Sequence, residues 1–271
     1  MPFFHIVILA LVQGITEVLP ISSSAHLLLV HELLGDTGQQ ENLIMDIALH
    51  VGTLAAVLIY FRRDLINVAK SLPRYLRSIG KGAAKNDGEK IIINVIAASV
   101  PVVIAGFLIH IYDPAWARSL TITPWSLIAF GILLWLVDRF RPAQSSIREM
   151  TWKQAVFIGF AQTLSLVPGT SRSGITMTAA RWCGFSRTEA ARFSLFMAIV
   201  AISGAGVIGG IGLLEENNTQ LTYDAFIAAT VSCGASFVAI VYMMRWLARA
   251  TFTPFVIYRI ALGIMILVFG F

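Results

Sequence analysis

The chain has 271 residues, of which 57% are hydrophobic and only 13% are charged, and its mean hydropathy is +0.77. A soluble globular protein is about one-quarter charged, so the composition excludes that class and predicts an integral membrane protein. The net charge of +5 does not indicate nucleic-acid binding, because the basic residues lie mostly in loops between apolar segments.

The hydrophobic residues occur in long continuous runs rather than in short alternating segments, which favours a helical bundle over a β-barrel. A transmembrane helix needs roughly 20 consecutive apolar residues. We therefore predict an all-α integral membrane protein with six transmembrane helices. They lie at approximately 43–61, 91–111, 122–137, 190–214, 222–244 and 254–271.

Two further apolar regions, about 3–34 and 152–184, are interrupted near their middle by Pro, Gly and Ser residues. Each half is too short to cross a bilayer, so we predict two re-entrant helical hairpins. Broken backbone is tolerated at membrane depth only where protein or a water-filled cavity covers it.

The charges of the loops predict the orientation of the bundle. The 62–90 loop contains eight basic residues and three acidic ones, and the 138–153 and 245–253 loops are also basic. Such loops are typically cytoplasmic. The stretches 31–42 and 215–221 carry acidic residues but no Lys or Arg, so we predict them to lie outside. With six spans, both termini are then predicted to lie outside.

Two pairs of similar sequences indicate an internal repeat. The residues from Gln13 read Q-G-I-T-E-V-L-P-I-S-S-S and resemble those from Gln162, Q-T-L-S-L-V-P-G-T-S-R-S, with a slip of one residue. Further along, T-I-T-P-W from Thr121 resembles T-F-T-P-F from Thr251. Both pairs occur in the same order, as expected for two copies of one unit. The alternative is chance similarity between apolar sequences.

Each predicted hairpin is followed by three spans, and because three is odd, the second copy is inverted relative to the first. We predict a single membrane domain, 1–271, made of a first repeat at about 1–138 and a second at about 151–271. One hairpin then enters from outside and the other from the cytoplasm, so that their tips meet near the middle of the bilayer.

Both predicted tips carry polar side chains, which are costly at membrane depth and therefore indicate a functional site. A break precedes an apolar run in each case, so the hydroxyl groups are predicted to lie at a helix N-terminus, where free N–H groups bind anions. The first tip contributes Glu17, Ser22, Ser23, Ser24 and His26, and the second contributes Ser171, Arg172, Ser173 and Thr176.

The two tips together predict a phosphate-binding site. Arg172 supplies a planar, permanently charged fork that suits phosphate oxygens. Gly169 and Gly174 would let the backbone approach a ligand closely. The hydroxyl groups predicted to contact phosphate are those of Ser22, Ser24, Ser171, Ser173 and Thr176.

A carboxylate in a phosphate-binding site requires a cation or a proton beside it. Glu17 is therefore predicted to bind a divalent cation, Mg²⁺ or Ca²⁺, and Gln13, one helical turn earlier, could add an amide oxygen. His26 has the chemistry of a general acid or base, or of a nucleophile toward phosphorus. Ser23, three residues before it, is the hydroxyl that it would activate.

Structural roles remain as alternatives for several of these residues. Ser22 and Ser24 could act simply as helix caps, and Arg172 could be a structural partner of Glu17. His50 lies four residues after Asp46 on one helical face. This pair either lines the cavity or forms a hydrogen-bonded pair in the core.

The motifs Q-G-I-T-E-V-L-P-I-S-S-S-A-H and P-G-T-S-R-S-G-I-T resemble those of the bacterial undecaprenyl pyrophosphate phosphatases of the bacitracin-resistance type. The chain length, the loop pattern and the Arg62–Arg63 pair extend the resemblance over nearly the whole chain. It implies an enzyme of the bacterial inner membrane that removes the terminal phosphate of undecaprenyl pyrophosphate and so returns the lipid carrier for peptidoglycan and other envelope glycans. It also implies a divalent cation and an active site that opens toward the periplasm or outer face.

The resemblance also implies which residues carry the function. The functional motifs of the family fall on Gln13, Glu17, Ser22, Ser23, His26 and the segment Pro168–Ser173. Gln13 stands where many relatives have a glutamate, which leaves Glu17 as the principal metal ligand.

We therefore expect metal-assisted phosphoryl transfer in which His26 or Ser23 attacks, or His26 activates water. The alternative is a transporter or flippase of a polyprenyl phosphate lipid, since inverted repeats and broken helices are also typical of transporters. Binding alone does not require serine and histidine beside glutamate and arginine. Their presence favours the enzyme over the transporter. The expected partners are the lipid substrate and the bilayer, without nucleic acid, and both a monomer and a homodimer fit the sequence.

Overall fold

The computed structural model describes residues 2–35, 39–78, 87–112, 121–142, 145–216 and 218–270. The regular secondary structure of the described residues is helical, apart from an isolated bridge between Ser145 and Phe185. In chain order the helices are α1 Phe3–Val18, α2 Ser23–Leu34, α3 Gln39–Tyr60, α4 Arg62–Ser78, α5 Asp87–Tyr112, α6 Ile122–Phe140, α7 Trp152–Thr163, α8 Arg172–Trp182, α9 Arg187–Glu216, α10 Thr219–Leu247 and α11 Thr253–Phe269.

Five of these helices are long and apolar enough to cross a membrane: α3, α5, α6, α9 and α10. The prediction of a multi-pass, all-α membrane protein is therefore confirmed. The sixth predicted span corresponds to α11, an apolar helix of 17 residues. This length lies at the lower limit of roughly 17 residues for a transmembrane helix.

Both predicted interruptions are present. The chain leaves the helical conformation between α1 and α2, around Pro20, and again between α7 and α8, where a short 3₁₀ turn at Leu164–Leu166 precedes Pro168. Proline cannot donate a backbone hydrogen bond, so a helix usually ends before it. In each pair the second helix packs against the first, which brings two helix N-termini into the interior of the bundle.

The predicted 62–90 loop needs a correction, because residues Arg62–Ser78 form the helix α4 and pack against α5. Apolar residues such as Leu65, Ile66 and Val68 recur between its charges, which gives the segment a helical period that charge counting overlooked. Lys81 and Lys85 of this loop lie outside the described residues, as does Asp36 of the predicted outer stretch.

Glycines allow several helices to approach closely. Gly14 brings α1 onto α10 near Ser232 and Ala235, and Gly159 brings α7 onto the Ala98 backbone of α5. Gly52 lies directly against the Ala229 backbone where α3 crosses α10. In membranes, where apolar burial drives little association, such close backbone contact stabilises helix pairs.

Asp138 organises the charged end of the bundle. This buried carboxylate, near the end of α6, accepts hydrogen bonds from Arg181 Nε at 3.0 Å and Arg187 Nε at 2.8 Å. It also accepts the backbone N–H of Phe252 just before α11, at 3.3 Å. One carboxylate thus joins four helices, and each buried charge of the cluster has a partner.

We predict that Gly52→Ala lowers the thermal stability of the protein in detergent, because the added Cβ would overlap the Ala229 carbonyl and force α3 away from α10. Overpacking of this kind costs about 1–3 kcal/mol. Gly204→Ala is the matched control, since a Cβ at that position of α9 meets nothing within 4 Å. Equal melting temperatures for the two variants, measured by thermal shift, would contradict this packing.

Candidate active site

A polar cavity of about 230 Å³ lies between the tips of the two broken helices. Helices α1, α2, α3, α8 and α9 contribute its walls, so it draws on both halves of the chain. The residues that line it are Glu17, Ser23, Ser24, His50, Ser165, Ser171, Arg172, Ser173, Ala201, Ile202 and Ala205.

The two tips have the same local backbone conformation. Ser22, immediately before α2, has φ of 74°, and Ser171, immediately before α8, has φ of 69°. A serine in this left-handed region is uncommon and is held there by its surroundings. The first turns of α2 and α8 thus direct their N-terminal ends, with the positive ends of their dipoles, toward one place, an arrangement that binds anions.

Glu17 is the centre of the hydrogen-bond network. The carboxylate is buried, and its Oε1 accepts a hydrogen bond from Arg172 Nη2 at 3.0 Å, which joins the two tips. Its Oε2 accepts the Ser23 hydroxyl at 2.5 Å and the Gln13 amide at 3.2 Å. The structure therefore brings three other predicted site residues together on the Glu17 carboxylate.

Three further hydrogen bonds hold the second tip in place, and one of them connects it to the first tip. Ser173 Oγ donates to the Leu19 carbonyl at 2.9 Å, from the second tip to the first. Ser171 Oγ accepts the Gly174 N–H at 3.1 Å and caps α8. Arg172 Nη1 donates to the Ser194 carbonyl of α9 at 3.1 Å. With the bond to Glu17, this contact holds the guanidinium of Arg172 through both of its terminal nitrogens.

His50 lines the cavity, which was one of the two interpretations of its spacing from Asp46. Its Nδ1 lies 2.7 Å from the Asp46 carbonyl, and its Nε2 lies 3.4 Å from Glu17 Oε2. Because a carbonyl can only accept, Nδ1 donates to Asp46, and Nε2 is the ring nitrogen that faces the Glu17 carboxylate. The available signal was the spacing of Asp46 and His50, but no sequence pattern connects them to Glu17.

His26 does not line the cavity. Its Nδ1 donates to the Ser22 carbonyl at 2.7 Å, and its Nε2 lies 2.7 Å from the Tyr258 hydroxyl. The two rings are stacked, with centroids 5.6 Å apart. The imidazole therefore braces the first turn of α2 against α11 in this structure, and Ser23, rather than His26, lies beside Glu17.

Three predicted phosphate contacts, Thr176, Ser22 and Ser24, have hydroxyl neighbours within the protein. Thr176 is fully buried, with its hydroxyl 2.7 Å from Ser194 Oγ. The hydroxyl of the buried Ser22 lies 3.1 Å from that of Ser24.

The two glycines also serve packing rather than the cavity. Gly169, with φ of 85°, lies against the Thr123 backbone, where any Cβ would overlap. A Cβ on Gly174 would lie 2.6 Å from Arg259 Nη1. Close approach is indeed required at both positions, but the neighbour is protein.

The side chains around Glu17 suit a cation that is shared with a substrate. Gln13 Oε1 is buried and has no hydrogen-bond partner among the described residues. Among the described residues, no group of three His, Cys, Asp or Glu side chains could hold a metal ion without further ligands. One carboxylate and one amide oxygen fit Mg²⁺, which usually keeps waters and takes further ligands from substrate phosphates.

Comparison with known proteins gives a consistent result. The sequence profile of the family described as "Bacitracin resistance protein BacA" matches residues 6–265. A protein of Ruegeria pomeroyi named undecaprenyl-diphosphatase is 40% identical over 270 residues, which cover 98% of both chains. Proteins of the same name from Alteromonas mediterranea and Jannaschia sp. are each 41% identical, and the matches cover 100% of both chains.

Proposed function

The chain belongs to the family of the bacitracin resistance protein BacA, and we propose that it is a membrane undecaprenyl-diphosphatase. It hydrolyses undecaprenyl pyrophosphate to undecaprenyl phosphate and inorganic phosphate, and so recycles the lipid carrier for peptidoglycan synthesis. Bacitracin resistance is a property of the family. The observation that carries the proposal is the Glu17–Arg172 pair in a polar cavity between two helix N-termini, inside an apolar bundle.

The pyrophosphate would bind where the two N-termini converge. Arg172 and the hydroxyls of Ser24 and Ser171 line this part of the cavity. Charge-assisted hydrogen bonds from a fixed guanidinium are stronger than neutral ones and stabilise the charge that develops on phosphate oxygens. The polyprenyl tail would extend along the apolar outer faces of the helices, within the lipid.

Ser23 is the best-placed nucleophile. Its Oγ lines the cavity at the first turn of α2 and donates to Glu17 Oε2 at 2.5 Å, so Glu17 can accept its proton. Ser23 Oγ would bond to the terminal phosphorus as the anhydride P–O bond breaks, and undecaprenyl phosphate would leave. Water would then hydrolyse the phosphoserine and release inorganic phosphate.

His50 and His26 would have different parts in this reaction. His50 Nε2 faces Glu17 across 3.4 Å and can take up the proton that Glu17 receives from Ser23. His26 holds the Ser22 carbonyl at 2.7 Å and thereby positions the turn that carries Ser23. His26 is thus a positioning residue in this proposal, and direct attack by it would require it to leave Tyr258.

A divalent cation, Mg²⁺ or Ca²⁺, is also part of the proposal. Glu17 and the unpartnered Gln13 oxygen would hold it, and when bound it would neutralise charge on the pyrophosphate. Among the described residues, the site supplies too few oxygens to hold the ion without substrate. We therefore expect chelation of the ion to weaken substrate binding.

We predict that the purified protein with Mg²⁺ or Ca²⁺ releases phosphate from undecaprenyl pyrophosphate. Glu17→Ala and Arg172→Ala should each lower kcat/KM by about 100-fold or more, since each removes a charge aimed at the reacting phosphate. Arg245→Ala, at an exposed position of α10, is the control. Wild-type turnover in Arg172→Ala would refute the site, and lipid transport in liposomes without phosphate release would favour the flippase.

Ser23 and Ser24 provide a matched pair for identifying the nucleophile. We predict that Ser23→Ala lowers kcat by about 1,000-fold or more and abolishes any trapped phosphoenzyme, whereas Ser24→Ala keeps turnover within about tenfold. His50→Gln should lower kcat by about 10–100-fold through the loss of proton transfer. Rapid-quench kinetics and mass spectrometry measure both effects, and a phosphoenzyme that persists in Ser23→Ala would exclude this nucleophile.

We propose further that the chain is a single domain with six transmembrane helices and two re-entrant hairpins in an inverted repeat, as the sequence suggests. Three features support the repeat. Both tips begin with a serine of positive φ. Helix α1 packs on α10 as α7 packs on α5, which are corresponding pairs in the two copies. Gln13 and Gln162 are both fully buried.

The protein would lie in the bacterial inner membrane, with both termini and the cavity toward the outer face. We predict that an impermeant maleimide labels Leu33→Cys in intact spheroplasts but labels Arg249→Cys only after permeabilisation. Both side chains are exposed, and Cys183 and Cys233 would first be replaced by serine. The reverse pattern would invert the topology. Both a monomer and a homodimer fit this arrangement.

A further inference from the structure

Arg259 is a fully buried arginine in the middle of α11, and it has no part in the mechanism described above. Its guanidinium bonds to four backbone carbonyls. Nε donates to Leu127 at 3.2 Å, Nη1 to Pro20 at 3.4 Å, and Nη2 to Gly169 at 3.2 Å and Thr170 at 2.8 Å. A buried arginine is costly unless it is fully paired, so its position calls for a reason.

Two of these carbonyls occupy equivalent places in the two tips. Pro20 lies two residues before Ser22, and Gly169 lies two residues before Ser171, the two serines with positive φ. One planar fork thus holds the two tips at matching points, immediately ahead of the helix N-termini. The guanidinium fixes how far apart the N-termini of α2 and α8 lie.

The charge of Arg259 has no carboxylate partner in the part of the chain that the structure describes. Arg172, by contrast, is neutralised by Glu17. Arg259 Nη1 lies directly behind the first turn of α8, since a Cβ on Gly174 would come within 2.6 Å of it. The site therefore contains one buried positive charge more than its own carboxylate balances.

The charge of Arg259 affects the cavity through the peptide group between Thr170 and Ser171. The C=O and N–H of a trans peptide point in opposite directions. By holding the Thr170 carbonyl, Arg259 directs the N–H of Ser171 away from itself, and Ser171 lines the cavity. The guanidinium also polarises this peptide, which strengthens its N–H as a donor.

We propose that Arg259 is a positioning residue for the diphosphate group. It sets the spacing of the two helix N-termini and supplies the uncompensated positive charge that the bound diphosphate neutralises. The proposal rests on the diphosphatase function and adds to it a residue that does not line the cavity.

Two substitutions distinguish the effect of the Arg259 charge from the effect of its planar, forked guanidinium. Arg259→Lys keeps the charge, but one ammonium cannot reach the carbonyls of both tips. Arg259→Gln keeps a donor and removes the charge. Arg245→Gln, the same change at an exposed position of α10, is the control. For each variant, the folded fraction is isolated by size exclusion, and kcat and KM are measured with undecaprenyl pyrophosphate, together with competitive inhibition by inorganic pyrophosphate.

We expect Arg259→Lys to lower kcat roughly tenfold or more with the inhibition constant of pyrophosphate changed less than about threefold. Arg259→Gln should raise that inhibition constant by about tenfold or more, because the charge is lost. Arg245→Gln should match the wild type. A purely structural role would reduce the folded yield of the Arg259 variants but leave kcat, KM and inhibition of the folded fraction unchanged, which would overturn the proposal.

Gly174→Ala is a second, milder variant in case both Arg259 variants fail to fold. Its added methyl group would displace Arg259 Nη1, and we expect kcat to fall about tenfold in a folded protein. Gly234→Ala, where a Cβ meets nothing within 4 Å, is its control. Unchanged kcat in Gly174→Ala would count against the proposal, whereas a wild-type protein that releases no phosphate would instead refute the diphosphatase function.

Discussion

The structure depends on the Glu17–Arg172 ion pair, because an ionised side chain removed from water needs an opposite charge beside it. These residues are 155 positions apart in the chain and lie on different broken helices. Each tip thus supplies the charge that balances the charge of the other. The pair therefore fixes the meeting of the two halves and, with it, the location of the cavity.

The need of a buried charge for an opposite charge also accounts for the cluster in which Asp138 pairs with Arg181 and Arg187. That cluster is closed, since the carboxylate also accepts a backbone N–H and Arg181 bonds to nearby carbonyls. The tips differ because hydroxyl groups and helix N-termini remain directed at open volume. A closed charge cluster joins helices, whereas an incomplete one can bind a ligand.

Much of this arrangement could be predicted from sequence, and the exceptions have physical causes. Pro20 and Pro168 mark the breaks because proline acts locally, and the cost of polar groups in lipid identified Glu17 and Arg172. Local rules could not place His50 beside Glu17, nor Arg259 behind both tips, since these contacts depend on how helices cross. The orientation of His26 toward Tyr258 is likewise a tertiary contact. The charges of α4 predict a loop, whereas the helical period of the apolar residues between them predicts the helix that forms.

The left-handed conformations of Ser22 and Ser171 have a wider consequence. A residue held in that region stores on the order of 1 kcal/mol of strain, which the surrounding bonds must offset. The donors of the site are thus set in place before any ligand arrives, and little reorganisation energy is spent as charge develops. Such rigidity also narrows what can bind. A compact, multiply charged head group can contact both helix ends at once. Substrate selectivity would therefore depend on the head group, and the length of the hydrocarbon chain would have little effect on binding.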